Sequence, residues 1–387
     1  MAVSRRNFLK GLGAGISVLV VGGGVYRAAD QGVFSAGNGP AYEPWENWRT
    51  DEAEGALRLV QSGILAANPH NSQPWRFDVM ADRIDVYAET TRNIGVVDPF
   101  LREMYMGVGC ALENMMLTAA ATGYDAAITL MPDESDTTLA ATITLTTAES
   151  VSSDLYDAIP NRHTNRGAYD QSREVPQSAN EAMEALNTDA DVSILWLTDE
   201  EMKTYFSEQT LAATEAFIAD TQQQEDSDHW LRHDWQELQE EASGITYDAQ
   251  LMGAVQTTLA KVNPRLTAEQ SGPFFVAATE RHLDGAREFG MLIVRDARDN
   301  VQRLNGGRLW QRIHLWATNN DIAMQPLNQL AERADREQQL GIEPTFSRVL
   351  AELVNDDEWV ALMPFRFGYA TQEATPSPRR DIESVLV

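Results

Sequence analysis

Two short stretches of the chain carry side chains whose types and spacing suit binding chemistry. Asn68-Pro69-His70-Asn71-Ser72-Gln73-Pro74-Trp75 places amides on a tightly turned backbone. Each amide both donates and accepts, so Asn71 and Gln73 can meet the mixed donor and acceptor edge of a planar heterocycle. Further along, Arg162-His163-Thr164-Asn165-Arg166 sets two guanidinium groups around a hydroxyl. That donor set matches a phosphate, because guanidinium pairs with phosphate oxygens in bidentate fashion. Neither half is complete alone. The plainer alternatives are a polar turn cap for the first stretch and a solvent-exposed arginine pair for the second.

The rest of the composition narrows the chemistry. The 387 residues include 30 basic and 58 acidic side chains, a formal net charge of −28, which argues against nucleic acid or an anionic membrane surface as partner. Lysine occurs only at Lys10, Lys203 and Lys261, so cationic work falls to arginine. The single cysteine, Cys110, excludes an intramolecular disulfide and any multi-cysteine metal site, and its apolar helical context marks it as a packing residue. His229 and His233 have metal-compatible helical spacing, yet the charge and the tryptophans around them favour a solvated or lid-forming helix. No nucleophile motif, Walker loop or dinucleotide fingerprint is present. No metal is expected.

Ser4-Arg5-Arg6-Asn7-Phe8-Leu9-Lys10, followed by a mostly apolar run from Gly11 to Val25, has the form of a twin-arginine export signal. The run is short for a bilayer, which needs about 20 apolar residues. Residues 1–36 are therefore expected to be signal and lead-in, with cleavage near Ala28-Ala29 or Ser35-Ala36, or else an uncleaved anchor. The expected location is periplasmic or extracytoplasmic, with the twin-arginine export machinery as partner and no stable membrane span after cleavage.

Elements must then position the two motifs. Residues 37–48 read as an extended lead-in, and Asp51 as the cap of a helix to Ala67. Alternation predicts strands at 75–79 and 84–87, and a long helix follows to Gly123. Further strands fall at 126–131 and 139–146, completing an N-terminal unit, 37–152. A second unit, 153–387, opens with a helix at 154–159, then the arginine motif, a helix at 178–186 and a strand at 192–197. A strongly acidic helical insertion occupies about 199–270. A strand at 274–278, one or two helices over 286–319 and a final strand at 360–369 follow, with Pro364 demoting the last to an edge or bulged position. Gly306-Gly307 with Leu315 echoes Gly107-Val108-Gly109 with Leu117, a loose internal repeat.

The run Asn71-x-Gln73-Pro74-Trp75 after a helix resembles the nitroreductase family, FMN-binding oxidoreductases of α+β fold whose two subunits share the cofactor at their interface. With both motifs in one chain and an export signal ahead of them, the protein resembles the single-chain Acg-type branch. That likeness implies two fused nitroreductase-like lobes, an intramolecular pseudo-dimer with one composite site, as monomer or as homodimer of pseudo-dimers. By the same resemblance Arg162, Thr164, Arg166 and Arg379 or Arg380 would hold the FMN phosphate, and Pro69, His70, Asn71 and Gln73 would line the flavin. Pro326, Leu327 and Asn328 would pass its reactive face. The implied activity is reduction of a small aromatic or quinone-like substrate through the flavin. The alternative is a protein that binds or sequesters FMN beneath a closed lid with little turnover.

Overall fold

The computed structural model describes residues 23–49 and 53–387. The twin-arginine motif, the apolar run as far as residue 22 and the Asp51 cap lie outside the described residues.

The fold is α+β, built on two four-stranded antiparallel sheets. In the first, β1 (Trp75–Val79), β2 (Arg83–Ala88), β3 (Tyr124–Leu130) and β4 (Leu139–Thr147) lie in the order β1-β2-β4-β3. The second holds β5 (Val192–Leu197), β8 (Glu288–Val294), β9 (Ile322–Pro326) and β10 (Val360–Tyr369) in the order β5-β8-β10-β9. Two-residue strands β6 (Leu231–Arg232) and β7 (Ile245–Thr246) pair in parallel between them in sequence. The two sheets thus repeat one strand order. In the first, β1 and β2 are joined by a tight turn; in the second, the chain between β5 and β8 is the long acidic insertion.

Alternation explains β1, where Trp75 and Phe77 are buried and the residues between and after them are half-buried. It fails for β8, and the failure is informative. Leu292 and Val294 of β8 pack into one core, Phe289, Met291 and Ile293 into another, so the strand is covered on both faces and reads as a continuous apolar run. Helix is expected there, within 286–319, but the helix begins only at Asn300. The strand expected at 274–278 is instead the middle of a helix, Ala268–Asp284, opened by a Thr267 capping box with Gln270. Pro273 lies inside that helix, in its second turn, and removes the backbone donor that would reach the Glu269 carbonyl. Strand β10 is interior rather than an edge, paired to β8 and β9, and a register shift between Ala361 and Met363 lies just ahead of Pro364. The lead-in is not extended: Pro40–Tyr42 and Glu43–Glu46 form short helical turns. The helix expected to 67 is α1 (Leu57–Gly63) only.

Helices α2 (Arg102–Ala121) and α3 (Asn300–Asn319) pack against each other along the seam between the two sheets. Their backbones touch reciprocally. A Cβ on Gly109 would collide with the carbonyl of Leu304, and one on Gly307 with the carbonyl of Met106. The contacts equate Gly109 with Gly307, one step from the Gly107 with Gly306 pairing read in the sequence. Polar bonds lock the same seam: Arg308 Nε and Arg312 Nε donate to Glu113 at 3.0 and 2.7 Å, and Gln311 Nε2 donates to Asn114 Oδ1 at 2.8 Å. Because the carbonyl opposite Gly307 is backbone and cannot swing away, Gly307→Ala is expected to lower stability by about 1–3 kcal/mol. Thermal denaturation checks this; an unchanged melting temperature would contradict the close approach.

Candidate functional site: a carboxylate-free arginine cavity

The first motif is strained as its sequence suggests. Pro69–Asn71 form a single 3-10 turn, and His70, Asn71 and Gln73 have φ of 48°, 53° and 53°, left-handed values that cost non-glycine residues energy. Compensation comes from hydrogen bonds. Asn68 Oδ1 accepts from the Gln73 N–H at 2.8 Å, and the Asn71 side chain donates to the Gly244 and Pro378 carbonyls at 3.2 and 2.9 Å.

The second motif leaves the short turn Ile159–Asn161 with Arg162 in extended conformation. Arg162 is buried, donating to the Leu65 carbonyl at 3.2 Å and toward His314 Nδ1 at 3.5 Å. Arg379 arrives from the C-terminal tail, which returns to the first sheet: the Arg379 N–H bonds Ala41 O at 2.7 Å, and Val387 N–H bonds Phe77 O of β1. The Arg379 guanidinium donates to Asn71 Oδ1 at 2.6 Å and to the carbonyls of Leu65 and Ala66 at 3.3 and 3.2 Å, and it lies over the Trp45 ring. Arg162 and Arg379 therefore converge on one carbonyl.

Trp45, Asn68, Asn71, Arg162, His163, Thr164, Arg166, Ser377 and Arg379 line a cavity here of about 40 Å³, with Ile245 and Ala249 of the insertion as a wall. Burial holds Arg162 and Arg166 down to about 10 and lowers Arg379 as well. The ionisable groups acting on these three are Cys110, Tyr42, Tyr169 and other arginines, none a carboxylate. In a chain with 58 acidic residues that is a marked local exclusion. Among the described residues, Arg162 Nε and Arg379 Nε are also buried without an acceptor. Unpaired donors beside unneutralised cations fit an anionic ligand that supplies both charge and acceptors.

The structure gathers five of the expected site residues at this cavity: Asn71, Arg162, Thr164, Arg166 and Arg379. The others lie elsewhere. Pro69 faces Gly107 on α2. His70 Nε2 meets Ser227 Oγ at 2.9 Å. Gln73 is fully buried and spent, donating to Ala242 O at 2.8 Å and accepting from the Arg380 N–H at 2.9 Å. Pro326 closes β9 opposite Phe365, Leu327 is drawn into the second core, and Asn328 lies beside the Glu103 carboxyl. Trp45, Asn68, His163 and Ser377 are wall residues that the sequence alone does not assign. Asn68 and His163 stand inside the two motifs, so adjacency could have flagged them; Trp45 and Ser377 reach the cavity through tertiary packing. His229 and His233 do not converge: His233 Nε2 bonds Asn263 O at 2.8 Å, and His229 packs edge-on to Trp230.

No family model matches the chain. Two Mycobacterium tuberculosis proteins, of strains CDC 1551 / Oshkosh and H37Rv and both provisionally named NAD(P)H nitroreductases, are 30% identical to it over 135 residues. The match spans 34% of this chain and 38% of each relative, well under half the length of either. Among solved structures, a nitroreductase with bound FMN from Desulfitobacterium hafniense is 12% identical, covering 61% of this chain and 98% of that one at a TM-score of 0.36. The FMN-dependent nitroreductase NfnB from Mycobacterium smegmatis, in complex with NADPH, is 15% identical, covering 60% and 96% at 0.36. The chain is thus similar to nitroreductases in part of its sequence, and its functional reading rests on the site itself.

Burial beside arginine pushes His163 down to about 3 and His70 to about 4, so both are neutral in the folded protein across the physiological range. The unfolded chain protonates its histidines near 6.5 and therefore takes up protons first as pH falls. Stability present above pH 6.5 should decline between about pH 6.5 and 5, above the carboxylate range. Melting temperatures across that window should fall for the wild type and fall less for His163→Asn; identical slopes would contradict the assignment.

Proposed function

We propose that the protein is an exported FMN-dependent oxidoreductase of nitroreductase type, acting on a small aromatic or quinone-like acceptor. The observation that carries this reading is the carboxylate-free cluster of Arg162, Arg166 and Arg379 with unpaired buried donors. The partial likeness to proteins named as nitroreductases supports it. Arg162, Arg166 and Arg379 would hold the phosphate, Thr164 would add a hydroxyl, and Asn68, Asn71 and Trp45 would border the remainder. When bound, the flavin supplies reversible two-electron chemistry, so no protein nucleophile is needed. The chain's own residues position the phosphate, exclude water and keep competing carboxylates away. The repeated strand order of the two sheets supports reading the chain as an intramolecular pseudo-dimer whose site draws on both lobes. The twin-arginine form of the N-terminus supports export after folding, which suits a protein that acquires its cofactor in the cytoplasm. The electron donor would be a nicotinamide before export or an extracytoplasmic carrier after it.

A second reading, FMN storage under a closed lid, has its own observation. The Gly244 N–H bonds Asn71 O at 3.0 Å, Gln73 donates to Ala242 O, and Ser227 meets His70, so the insertion occupies the hydrogen-bonding edge of the turn. The cavity of about 40 Å³ is also well below the roughly 300–1,000 Å³ of ligand sites. The arginine end presents its donors as it stands; the ring end requires residues 242–249 to withdraw.

Two measurements decide. Arg162→Ala with Arg166→Ala should leave a folded chain that purifies without flavin, since each charged hydrogen bond to phosphate is worth about 1.5–3 kcal/mol. Unchanged flavin content would count against the assignment. Anaerobic holoprotein should bleach with NAD(P)H and recolour with a quinone or nitroaromatic; a yellow protein that resists reduction would instead favour storage.

A further inference from the structure

Two buried histidines outside the cavity have no role in the proposed flavin site. His314 lies on α3 and is 1% exposed; His282 lies in the last turn of the helix Ala268–Asp284 and is 8% exposed. Each meets a group that can only donate. Arg162 Nη1 points to His314 Nδ1 at 3.5 Å. A guanidinium has no lone pair to offer, so that nitrogen must be unprotonated and the ring proton must sit on Nε2. For His282 the same constraint arrives through a relay. Arg366 Nε donates to Gln325 Oε1 at 2.8 Å, which turns the amide so that Gln325 Nε2 faces His282 Nδ1 at 3.2 Å. Again Nδ1 must accept, and the proton must sit on Nε2.

The other side of each ring faces the arginine loop: His314 lies against the main chain of His163, and His282 against that of Arg166. These two residues bracket the loop that carries Thr164 and ends in Arg166. Arg366 adds a third hold, donating to the carbonyls of Gly167 and His282 at 2.7 and 2.9 Å.

Resting on the proposed anion site, we infer that His282 and His314 are positioning residues: a pair of neutral, Nε2-protonated histidines that clamps the Arg162–Arg166 loop in its anion-binding shape. The charged and titratable groups facing His314 are Arg162 and His163; those facing His282 are Arg366, Arg166 and Arg281. None is acidic. Protonating either ring would add a cation to an arginine surround and destroy the lone pair that accepts from it. Burial and these neighbours hold both rings well below the ordinary histidine range, in keeping with the geometry. The device lets a loop bristling with positive charge be held by rigid aromatic donors without any carboxylate that would compete with the ligand.

The test uses the full-length chain, with FMN and inorganic phosphate as probes. Nitrogen NMR of histidine-labelled protein should show both rings with Nδ1 unprotonated from pH 8 down to about 5.5, although free histidine titrates near 6.5. His314→Phe and His282→Phe should weaken FMN and phosphate binding about tenfold or more, as expected when a hydrogen bond to a charged group is lost. His314→Asn, which restores an acceptor toward Arg162, should recover part of that loss. If wild type binds FMN but the variants bind equally well, or if either ring titrates near 6.5 or carries its proton on Nδ1, the clamp is wrong while the cofactor reading stands. If wild type binds neither probe, the cofactor reading fails, and the ring tautomers still decide the clamp. Should a phenylalanine variant not fold, the wild-type ring spectra alone support the clamp or overturn it.

Discussion

Everything at the site follows from how buried guanidinium groups are held without carboxylates. Removing a cation from water costs several kcal/mol unless its donors are met. Here backbone carbonyls meet part of the set and leave the Nε donors of Arg162 and Arg379 without an acceptor. Leu65 O, just past the C-terminal end of α1, accepts from both Arg162 and Arg379, and Ala66 O accepts from Arg379. His282 O, at the C-terminal end of its helix, accepts from Arg366. Carbonyls at helix C-termini carry partial negative charge, enough to anchor a guanidinium but not to cancel it. The residual positive charge is what remains available to a ligand. A carboxylate in the same place would stabilise the arginines more and leave nothing for an anion to do.

That solution requires parts from distant stretches of chain to meet within a few ångströms. In chain order Arg162 follows the first sheet, Leu65, Ala66 and Asn71 precede it, and Arg379 lies in a tail that returns to it. The α2–α3 seam fixes their relation. Ser62 and Asn114 join α1 to α2 through hydrogen bonds of 2.8 and 3.2 Å, and Gln311 of α3 accepts from the Ala67 N–H at 3.3 Å while donating to Asn114. One buried polar chain therefore runs from the glycine-packed helix pair to the carbonyls that receive the arginines. A shift along the seam would displace the cavity floor and the packing core together.

Local chemistry is legible in the sequence where local physics decides it. Strands 75–79 and 192–197 alternate and can be placed to the residue; the left-handed turn at His70 and Asn71 is signalled by Asn-Pro-His-Asn; the arginine pair is signalled by its own spacing. What tertiary context decides is not legible. Strand β8 hides as a helix because two cores cover it, and residues 274–278 hide as a strand because the capping box that starts their helix lies several residues upstream. Gln73 reads as a ligand group because an amide's partners cannot be known from sequence; its partners, Ala242 and Arg380, come from the insertion and the tail. Leu327 misses the cavity because an apolar side chain at the start of a helix is claimed by the nearest core. The histidines behind the arginine loop carry no sequence signature at all, since their meaning lies in which donors face them.

The segregation of charge has a last consequence. The surface of a chain with net charge −28 repels any anion at long range, whereas the cavity attracts it at contact. Surface fields are screened over a Debye length of about 8 Å at physiological ionic strength, and buried pairs far less. Salt therefore lowers the barrier to arrival more than it weakens the bound state, the reverse of what a basic surface patch would show. An acidic exterior around an arginine-only cavity is thus compatible with anion binding, and it makes access depend on ionic strength while retention depends on burial.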